Sequence, residues 1–470
     1  MEETTYSFGM IGLGTMGRSL LLNMADHNFS VAGYDKDPDK TTLLTTEAEG
    51  KPVKAFITLT GFIKSLQTPR SVMMLVPAGK IVDSVIEELI PLLQKGDLII
   101  DGGNSHFTDT NRRVAYLDEK GLNFFGMGVS GGEEGARRGP SMMPGGNKEA
   151  YQHVKHIFEA IAAKVNGEPC VAYIGPGAAG NFVKMVHNGI EYGLMQLIAE
   201  TYEILRKGLK LDNKAIQKVF AQWNEGRLQS YLIEITKDIF NFKNKGADHL
   251  LVDDIKDEAR AKGTGKWTSQ VAMDLELPAT VIDTAVSMRD LSKYKSLRVK
   301  LSTSFGNDHI DFAVQNKDEF LTALEQAFYF AMITTYAQGM HLLSKASAEY
   351  KYELNLAEIA KIWRGGCIIR SAFLETIYQA FTKDNGLEHL LLDSDVQALI
   401  NETLPGARSV VSSAVAAGLA VPAFAASLSY FDAIRSANMP GNLIQAQRDY
   451  FGAHTYELKG EYGFYHTEWI

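Results

Sequence analysis

A glycine-rich turn near the start of the chain, Gly12-Leu-Gly14-Thr-Met-Gly17, follows a short apolar run at 7–11 and opens a helical pattern. In a dinucleotide-binding turn, one glycine permits the tight bend, a second lets the backbone approach the pyrophosphate, and a third allows close helix–strand packing. The pattern alone is weak, because 42 glycines in the chain make chance matches common. Its place between a strand and a helix favours a phosphate-binding turn over a structural turn that binds nothing.

Short β-rich runs alternate with helical patterns through the first third of the chain. Such alternation is typical of βαβ units in a doubly wound parallel sheet. We therefore predict a Rossmann-like α/β domain over residues 1–177. The strands are predicted at 7–11, 30–34, 71–76, 97–100, 122–125 and 169–173, with helices at 80–93 and 108–120.

The pattern changes after residue 177. Residues 178–439 are predicted to form a large all-helical domain, and residues 440–470 an aromatic, mixed-charge tail that would fray unless it docks against something. Trp223-Asn-Glu-Gly and Trp363-Arg-Gly-Gly each follow an amphipathic helix. This similarity is compatible with a duplication or with chance likeness between helices.

Composition and charge limit the possible functions. A formal net charge of −9 argues against a nucleic-acid or membrane-surface role. The stretch 413–431, rich in Ala and Ser, is interpreted as closely packed buried helix, not as a membrane span. Two distant cysteines and an N-terminus without a signal-peptide pattern lead us to expect a cytoplasmic protein.

Asp35 ends the second predicted strand, 18 residues beyond Gly17. A carboxylate there accepts hydrogen bonds from the adenosine ribose and repels a 2′-phosphate, which favours NAD over NADP. The neighbouring Lys36 could serve a phosphate instead. Asp35 could also be an ordinary solvated turn residue before Pro38.

A polar stripe runs along the first helix of the second domain. Lys184, His187, Asn188 and Glu191 stand at i, i+3, i+4 and i+7 of an otherwise apolar helix. A solvent-facing stripe is the usual explanation of such spacing, but the apolar remainder favours an interior cleft. A lysine in a cleft would have a lowered pKa and could act as a neutral base.

Several longer motifs make the chain resemble the 6-phosphogluconate dehydrogenases. They occur in that family's order from residue 12 to 454. The motifs are Asp101-Gly-Gly-Asn104-Ser, Val129-Ser-Gly-Gly-Glu-Glu-Gly-Ala-Arg-Arg-Gly-Pro-Ser-Met-Met-Pro-Gly-Gly146, Lys184-Met-Val-His-Asn-Gly-Ile-Glu-Tyr192, Lys262-Gly-Thr-Gly-Lys-Trp267 and Asn442-Leu-Ile-Gln-Ala-Gln-Arg448-Asp-Tyr-Phe-Gly-Ala-His454.

The resemblance implies oxidative decarboxylation of 6-phosphogluconate to ribulose 5-phosphate and CO₂ by a homodimer that uses NAD or NADP and no metal. Lys184 would remove the C3 hydroxyl proton and later return it, and Glu191 would protonate C1 of the enediol. The cofactor would be bound by Gly12, Leu13, Gly14, Thr15, Met16, Gly17, Asp35, Lys36, Asp37, Val76, Pro77, Ala78 and Asn104. The substrate would be bound by Asn104, Ser130, Gly131, Gly132, His187, Asn188, Tyr192, Lys262 and Arg289, with Arg448 and His454 reaching in from the second subunit's tail.

Three positions depart from the family pattern. Asp35-Lys36-Asp37 stands where members that use NADP usually have Asn-Arg-Thr, and Pro77 replaces a common lysine. Both weaken the expectation of NADP. Asn181 replaces a usual histidine, which leaves the expected mechanism unchanged.

Two alternatives stay open on the sequence alone. One is a β-hydroxyacid dehydrogenase for an unphosphorylated substrate, which would lack the long helical extension and the tail. The other is a catalytically inactive nucleotide sensor, against which the presence of both Lys184 and Glu191 argues.

Overall fold

The computed structural model describes residues 5–306, 312 and 314–469, so the N-terminal residues 1–4 used to judge targeting lie outside the described part. Seven strands form one sheet in the order β3-β2-β1-β4-β5-β6-β7. All neighbours in it are parallel except β6 and β7. The strands are β1 Phe8–Ile11, β2 Val31–Tyr34, β3 Val53–Phe56, β4 Ser71–Met74, β5 Leu98–Asp101, β6 Asn123–Ser130 and β7 Ser141–Gly146, followed by a small hairpin of β8 Lys164–Val165 and β9 Glu168–Pro169.

Helices connect the strands and cover the sheet. Buried apolar clusters lie on both faces of it, one against α1 and α7 and one against α3 and α4. This confirms the predicted Rossmann-like architecture. The helices are α1 Thr15–Asp26, α2 Pro38–Glu47, α3 Leu59–Lys64, α4 Lys80–Leu89, α5 Phe107–Asp118, α6 Gly132–Arg138 and α7 Lys148–Ile161.

Strand β1 lies at the point where the chain order of the sheet reverses, with β2 on one side and β4 on the other. Ligands of open α/β sheets bind at such a switch point, outside the carboxyl ends of the strands. The glycine-rich turn, Asp35 and the segment 75–78 all follow the ends of these three strands. The topology therefore brings them together.

The predicted sheet differs from the observed one at three strands. The predicted strand at 169–173 does not join the parallel sheet; it contributes only β9 and an isolated bridge from Val171 to β7. Strands β3 and β7 were not predicted. β3 is partly exposed, and the sequence Ser-Met-Met-Pro-Gly-Gly of β7 lacks the β-branched residues that usually mark a strand.

The second part of the chain is helical, as predicted. Its large core surrounds α8 and the 34-residue α14, which contact each other in the interior. The helices are α8 Ala179–Glu203, α9 Asn213–Asn224, α10 Tyr231–Ile239, α11 Thr264–Asp274, α12 Thr280–Ser292, α13 Lys295–Phe305, α14 Lys317–Tyr350, α15 Leu356–Trp363, α16 Phe373–Lys383, α17 Ser394–Ala416, α18 Pro422–Ile434 and α19 Gly441–Gly452, with a π-helical turn at Ile204–Gly208 and 3₁₀ turns at Ile90–Leu92, Leu251–Asp253 and Leu390–Leu392.

The two tryptophan-containing segments make reciprocal contacts. Ser230 and Ser371, which follow the two motifs, form an antiparallel bridge. Trp223 packs on Phe328 of α14, whereas Trp363 packs on His187 of α8. Each of the two equivalent motifs therefore packs on the long helix that precedes the other motif. This reciprocal packing supports the duplication hypothesis.

The apolar stretch 413–431 is divided between two helices. Gly418, with φ of 78°, lies between the end of α17 and the start of α18. In the part of the chain that the structure describes, none of the helices has both the length and the apolar character needed to cross a membrane.

Helix α8 is pressed against the sheet through glycines. A β-carbon at Gly128 of β6 would lie 2.4 Å from Cβ of Lys184, and one at Gly180 would lie 2.2 Å from the backbone oxygen of Met143. Larger residues at these positions would push the helix away from β6 and β7. The glycines thus place the Lys184 side chain beside the carboxyl end of β6.

Candidate active site

The polar stripe on α8 forms a buried hydrogen-bonded group. The Lys184 ammonium donates to Oδ1 of Asn188 at 2.9 Å and lies 3.4 Å from Nδ1 of His187. Nε2 of His187 lies 3.2 Å from the Ser130 hydroxyl at the end of β6. Lys184, His187, Asn188 and Ser130 are all buried and Glu191 is half-buried, so the stripe faces the interior and the solvent-facing alternative is wrong.

Burial changes the proton affinities of this group. It lowers the pKa of Lys184, although the charge of Glu191 opposes the shift. It raises the pKa of Glu191, against the opposing charges of Lys184 and Arg289. Burial, together with the Lys184 charge, holds the pKa of His187 well below its ordinary value, so this imidazole is neutral. The site thus combines an amine that releases its proton readily with a carboxyl that retains one.

A positively charged side chain lies next to the Glu191 end of the polar stripe. The Arg289 guanidinium of α12 lies over the ring of buried Tyr192, 3.5 Å from its centroid. A β-carbon at Gly265 of α11 would meet the same ring at 2.4 Å, so α11 packs closely on Tyr192. Lys262, just before α11, is exposed. Tyr192 and Arg289 are therefore brought together, with Lys262 at the edge of the same region.

The glycine-rich turn has the geometry its sequence predicts. A β-carbon at Gly17 would lie 1.9 Å from the Gly12 backbone oxygen, and Gly12 itself has φ of 91°. In contrast, a β-carbon at Gly14 would meet nothing within 4 Å. The first and third glycines are thus required by bending and packing, and the second leaves open space at the start of α1.

A cavity of about 460 Å³ adjoins this turn, lined by the ends of β1, β2 and β4 and by α4. Asp35 is almost buried beside it, and its carboxylate accepts a hydrogen bond from the Leu13 amide at 2.7 Å. Asp35 is therefore not the solvated turn residue of the alternative interpretation. Open backbone at Gly14 and a fixed carboxylate at the end of β2 fit a dinucleotide.

Some predicted residues lie farther out. Asn104 and Ala78 are exposed, next to Gly103 and Pro77, in the loops that follow β5 and β4. Gly131 and Gly132 adopt positive φ values of 120° and 63° directly after Ser130.

Arg448 and His454 lie exposed on or after α19, and none of their described contacts involves α8. A single subunit therefore does not bring the tail residues to Lys184.

Other neighbours of the site were missed by the sequence reasoning. Glu88 and Lys40 line the dinucleotide cavity, and Trp363 packs against His187. No local signal marked Glu88, because its position depends on how α4 packs across β2. The match between the two tryptophan motifs could have indicated Trp363. Among the described residues, no group of three or more His, Cys, Asp or Glu side chains could hold a metal ion.

A dinucleotide fold joined to a helical domain that holds a buried lysine and a half-buried carboxyl on one helix face defines a nicotinamide-dependent dehydrogenase. Comparison with known proteins identifies the family within this class of dehydrogenases. A family model for the NAD binding domain of 6-phosphogluconate dehydrogenase matches residues 7–175, and one for the 6-phosphogluconate dehydrogenase C-terminal domain matches residues 180–469. The chain belongs to the 6-phosphogluconate dehydrogenase family.

Individual relatives agree along almost the whole chain. The NADP(+)-dependent, decarboxylating 6-phosphogluconate dehydrogenase of Bacillus subtilis is 50% identical over 462 residues, 98% of each chain. The decarboxylating 6-phosphogluconate dehydrogenase 1 of Saccharomyces cerevisiae is 48% identical, covering 97% of this chain and 93% of its own. The Plasmodium falciparum 6-phosphogluconate dehydrogenase, whose structures include complexes with its cofactor NADP+ and its substrate 6-phosphogluconate, superposes with a TM-score of 0.96 at 45% identity, covering 98% of this chain and 100% of that one.

These findings confirm the resemblance predicted from the motifs. The match to the C-terminal-domain family model continues through the tail to residue 469. The alternative, a shorter β-hydroxyacid dehydrogenase, would have no segment that corresponds to this tail.

Proposed function

We propose that this protein oxidises and decarboxylates 6-phospho-D-gluconate to D-ribulose 5-phosphate and CO₂, with a nicotinamide dinucleotide as oxidant. The observation that carries the proposal is the buried amine of Lys184 on the same helix face as the half-buried carboxyl of Glu191. The choice of 6-phospho-D-gluconate as the substrate follows from membership of the family. The nicotinamide, when bound, would accept a hydride from the substrate.

Lys184 serves as both base and acid in this proposal. As a neutral amine it takes the proton of the C3 hydroxyl while C3 is oxidised, and as an ammonium it returns a proton to the carbonyl oxygen when CO₂ leaves. Its lowered pKa makes the neutral form accessible. Asn188 accepts a hydrogen bond from the amine and so orients it.

Glu191 protonates C1 of the enediol. Its raised pKa keeps a proton available on the carboxyl. His187 and Asn188, with Ser130, Gly131, Gly132 and Asn104, are proposed to bind the carboxylate and hydroxyls of the substrate. Neutral His187 can hydrogen-bond a hydroxyl without adding charge.

Tyr192, Lys262 and Arg289 are proposed to bind the phosphate. The stacked arrangement of Arg289 on Tyr192 fixes a guanidinium at the end of the stripe, where a planar donor pair suits a phosphate. These cations would attract a substrate that carries both a carboxylate and a phosphate to a protein whose net charge is −9.

Arg448 and His454 complete the phosphate site from a second subunit in this proposal. The tail that carries them exposes a set of large apolar side chains, as does α13, and such surfaces are typical of contacts between subunits. We therefore infer a homodimer. The exposed apolar residues are Leu443, Ile444, Tyr450, Phe451, Phe464, Leu297, Val299, Leu301 and Phe305.

We also infer three functional regions, 1–177 for the cofactor, 178–439 for substrate and dimerisation, and 440–470 for the partner's site. The switch from sheet to helix at α8 supports the first division, and the loop before α19 supports the second. The two cysteines are unpaired and buried, which supports a reducing, cytoplasmic setting.

Initial rates with 6-phosphogluconate and each dinucleotide test the proposal. We expect production of reduced cofactor coupled to release of CO₂ in equal amounts. Lys184→Ala should lower turnover at least about 100-fold, as loss of a general base does. The matched control Lys214→Ala, an exposed lysine on α9, should retain activity. A Lys184→Ala enzyme with a normal rate would remove Lys184 as the base.

A further inference from the structure

The cavity beside the glycine-rich turn has a distinctive charge arrangement at the end where β2 stops. Three acidic side chains and two lysines meet there. Asp35, which follows β2 directly, and Glu88, which comes from α4 on the opposite wall, line the cavity, and Asp37 lies just outside the lining, 3.9 Å from the Lys40 ammonium. This is the region where the adenosine ribose of a dinucleotide lies in a Rossmann fold.

Asp35 is held in one position. Its side chain is only 11% exposed. One carboxylate oxygen accepts from the Leu13 amide at 2.7 Å, and the other accepts from the Asp37 amide at 2.9 Å. A ribose hydroxyl can donate to this carboxylate, whereas a 2′-phosphate would be brought against a negative charge that cannot turn away.

Both lysines that line the cavity already contact carboxylates. The Lys36 ammonium lies 2.7 Å from Oε1 of Glu88. The Lys40 ammonium lies 3.7 Å from Asp35 and 3.9 Å from Asp37. A phosphate at the ribose would therefore have to compete with an acidic side chain for each cation.

Glu88 stands out among the three acids, because it is not part of the strand-end motif. It lies 52 residues from Lys36 in the chain. By bridging from α4 to the residue after Asp35, it engages the cation that could otherwise turn toward a 2′-phosphate.

We propose that Glu88 is a cofactor-specificity residue, which together with Asp35 makes this site select NAD over NADP by holding Lys36 away from the 2′ position. This inference rests on the proposed function only in taking a nicotinamide dinucleotide as the cofactor. It separates this chain from the Bacillus subtilis relative, which is described as NADP(+)-dependent.

Equilibrium binding of NADH and NADPH, followed by nucleotide fluorescence on the full-length protein without any sugar acid, tests the proposal. The wild-type protein should bind NADH at least about tenfold more tightly than NADPH, a difference of about 1.4 kcal/mol. Glu88→Gln should tighten NADPH binding by about three- to tenfold, since it frees one cation near the surface, and should leave NADH binding within about twofold.

The neighbouring carboxyl provides a matched control. Glu87 accepts a hydrogen bond from the Tyr116 hydroxyl at 2.8 Å and is not among the cavity residues. Glu87→Gln should leave both affinities unchanged. In the Glu88→Gln protein, a further Lys36→Ala change should abolish the gain for NADPH, which ties the effect to Lys36.

Three results would overturn the proposal. They are equal or tighter binding of NADPH by the wild type, an unchanged affinity ratio in Glu88→Gln, or a gain that persists after Lys36→Ala. Because these measurements need no turnover, selective NADH binding without activity on 6-phosphogluconate would reject the proposed function and leave this inference standing.

Discussion

The Lys184 ammonium and the Asn188 side-chain oxygen lie 2.9 Å apart, one turn of α8 from each other, in a site where both are buried. The neutral amide accepts a hydrogen bond without adding a charge. Burial can therefore lower the pKa of Lys184 against the opposing influence of the Glu191 and Cys367 side chains. The identity of residue 188 thus helps to set the pH at which the amine becomes a base.

Asn188→Asp tests this relationship. A carboxylate beside the ammonium should raise the pKa of Lys184 by roughly 1–3 units. Because the base must be neutral, kcat/KM rises as pH rises through this pKa, and the acidic limb of its pH profile should move upward by the same amount. Asn188→Ala should weaken substrate binding without that upward move. If the acidic limb of the kcat/KM profile does not move in Asn188→Asp, ionisation of Lys184 does not control that limb.

Glu191→Gln removes the proposed acid and retains its shape. Turnover should fall by roughly 10²–10⁴, the usual range for loss of a general acid. Binding of NADH should be unchanged, because Glu191 lies on α8 and the dinucleotide cavity is lined by other elements. Glu203→Gln, at the C-terminal end of the same helix and paired with Lys207, is the control. Equal rates in the two variants would exclude Glu191 as the acid.

Much of the site could be predicted from sequence because it resides in local patterns. The i, i+3, i+4 and i+7 spacing placed Lys184 and Glu191 on one face, and the strand–turn–helix pattern located Gly12. The rest depends on packing between distant segments. Glu88 reaches Lys36 only because α4 lies across the end of β2. Strand β7 was hidden because its Pro144 and glycines have low strand propensity.

The structure of the tail also depends on contacts that local sequence patterns do not predict. It was expected to fray unless docked, but Asp449 organises it from within. This carboxylate, with no exposed surface, accepts from the amides of Thr455 and Thr467, the Trp469 indole and His466. Burial opposes the shift, but His466, the Thr467 amide and the Trp469 indole together lower the pKa of Asp449 to about 2. All four partners are 6 to 20 residues away in sequence, and no short motif predicts such a cluster.

Asp449→Asn should loosen the tail, because an amide cannot accept from all four donors in the same geometry. Arg448 and His454 would then be less well placed in the partner's site. We expect KM for 6-phosphogluconate to rise about tenfold, as for Arg448→Ala, with little change in cofactor binding. Glu457→Gln, an exposed tail carboxylate, should behave as wild type. A normal KM in both Asp449→Asn and Arg448→Ala would contradict the tail's proposed role.

Glu200 links α8 to α18 in a pH-dependent way. Its buried carboxyl accepts hydrogen bonds from the amides of Ala423 and Phe424 at the start of α18, and burial raises its pKa to about 7. Since the folded-state pKa exceeds the unfolded value, the contribution to stability is complete below about pH 4.5 and is lost as pH rises through about 7. The loss should amount to about 3 kcal/mol by pH 8.

Glu200→Gln retains an acceptor for the Ala423 amide but cannot ionise, so it should remove this part of the pH dependence. Free energies of unfolding, measured by urea titration from pH 5 to pH 8, should decline less steeply in the variant than in the wild type. The difference between the two curves isolates Glu200 from histidines that titrate in the same range. Parallel curves would mean that the Glu200 carboxyl ionises in the folded protein at its ordinary pKa.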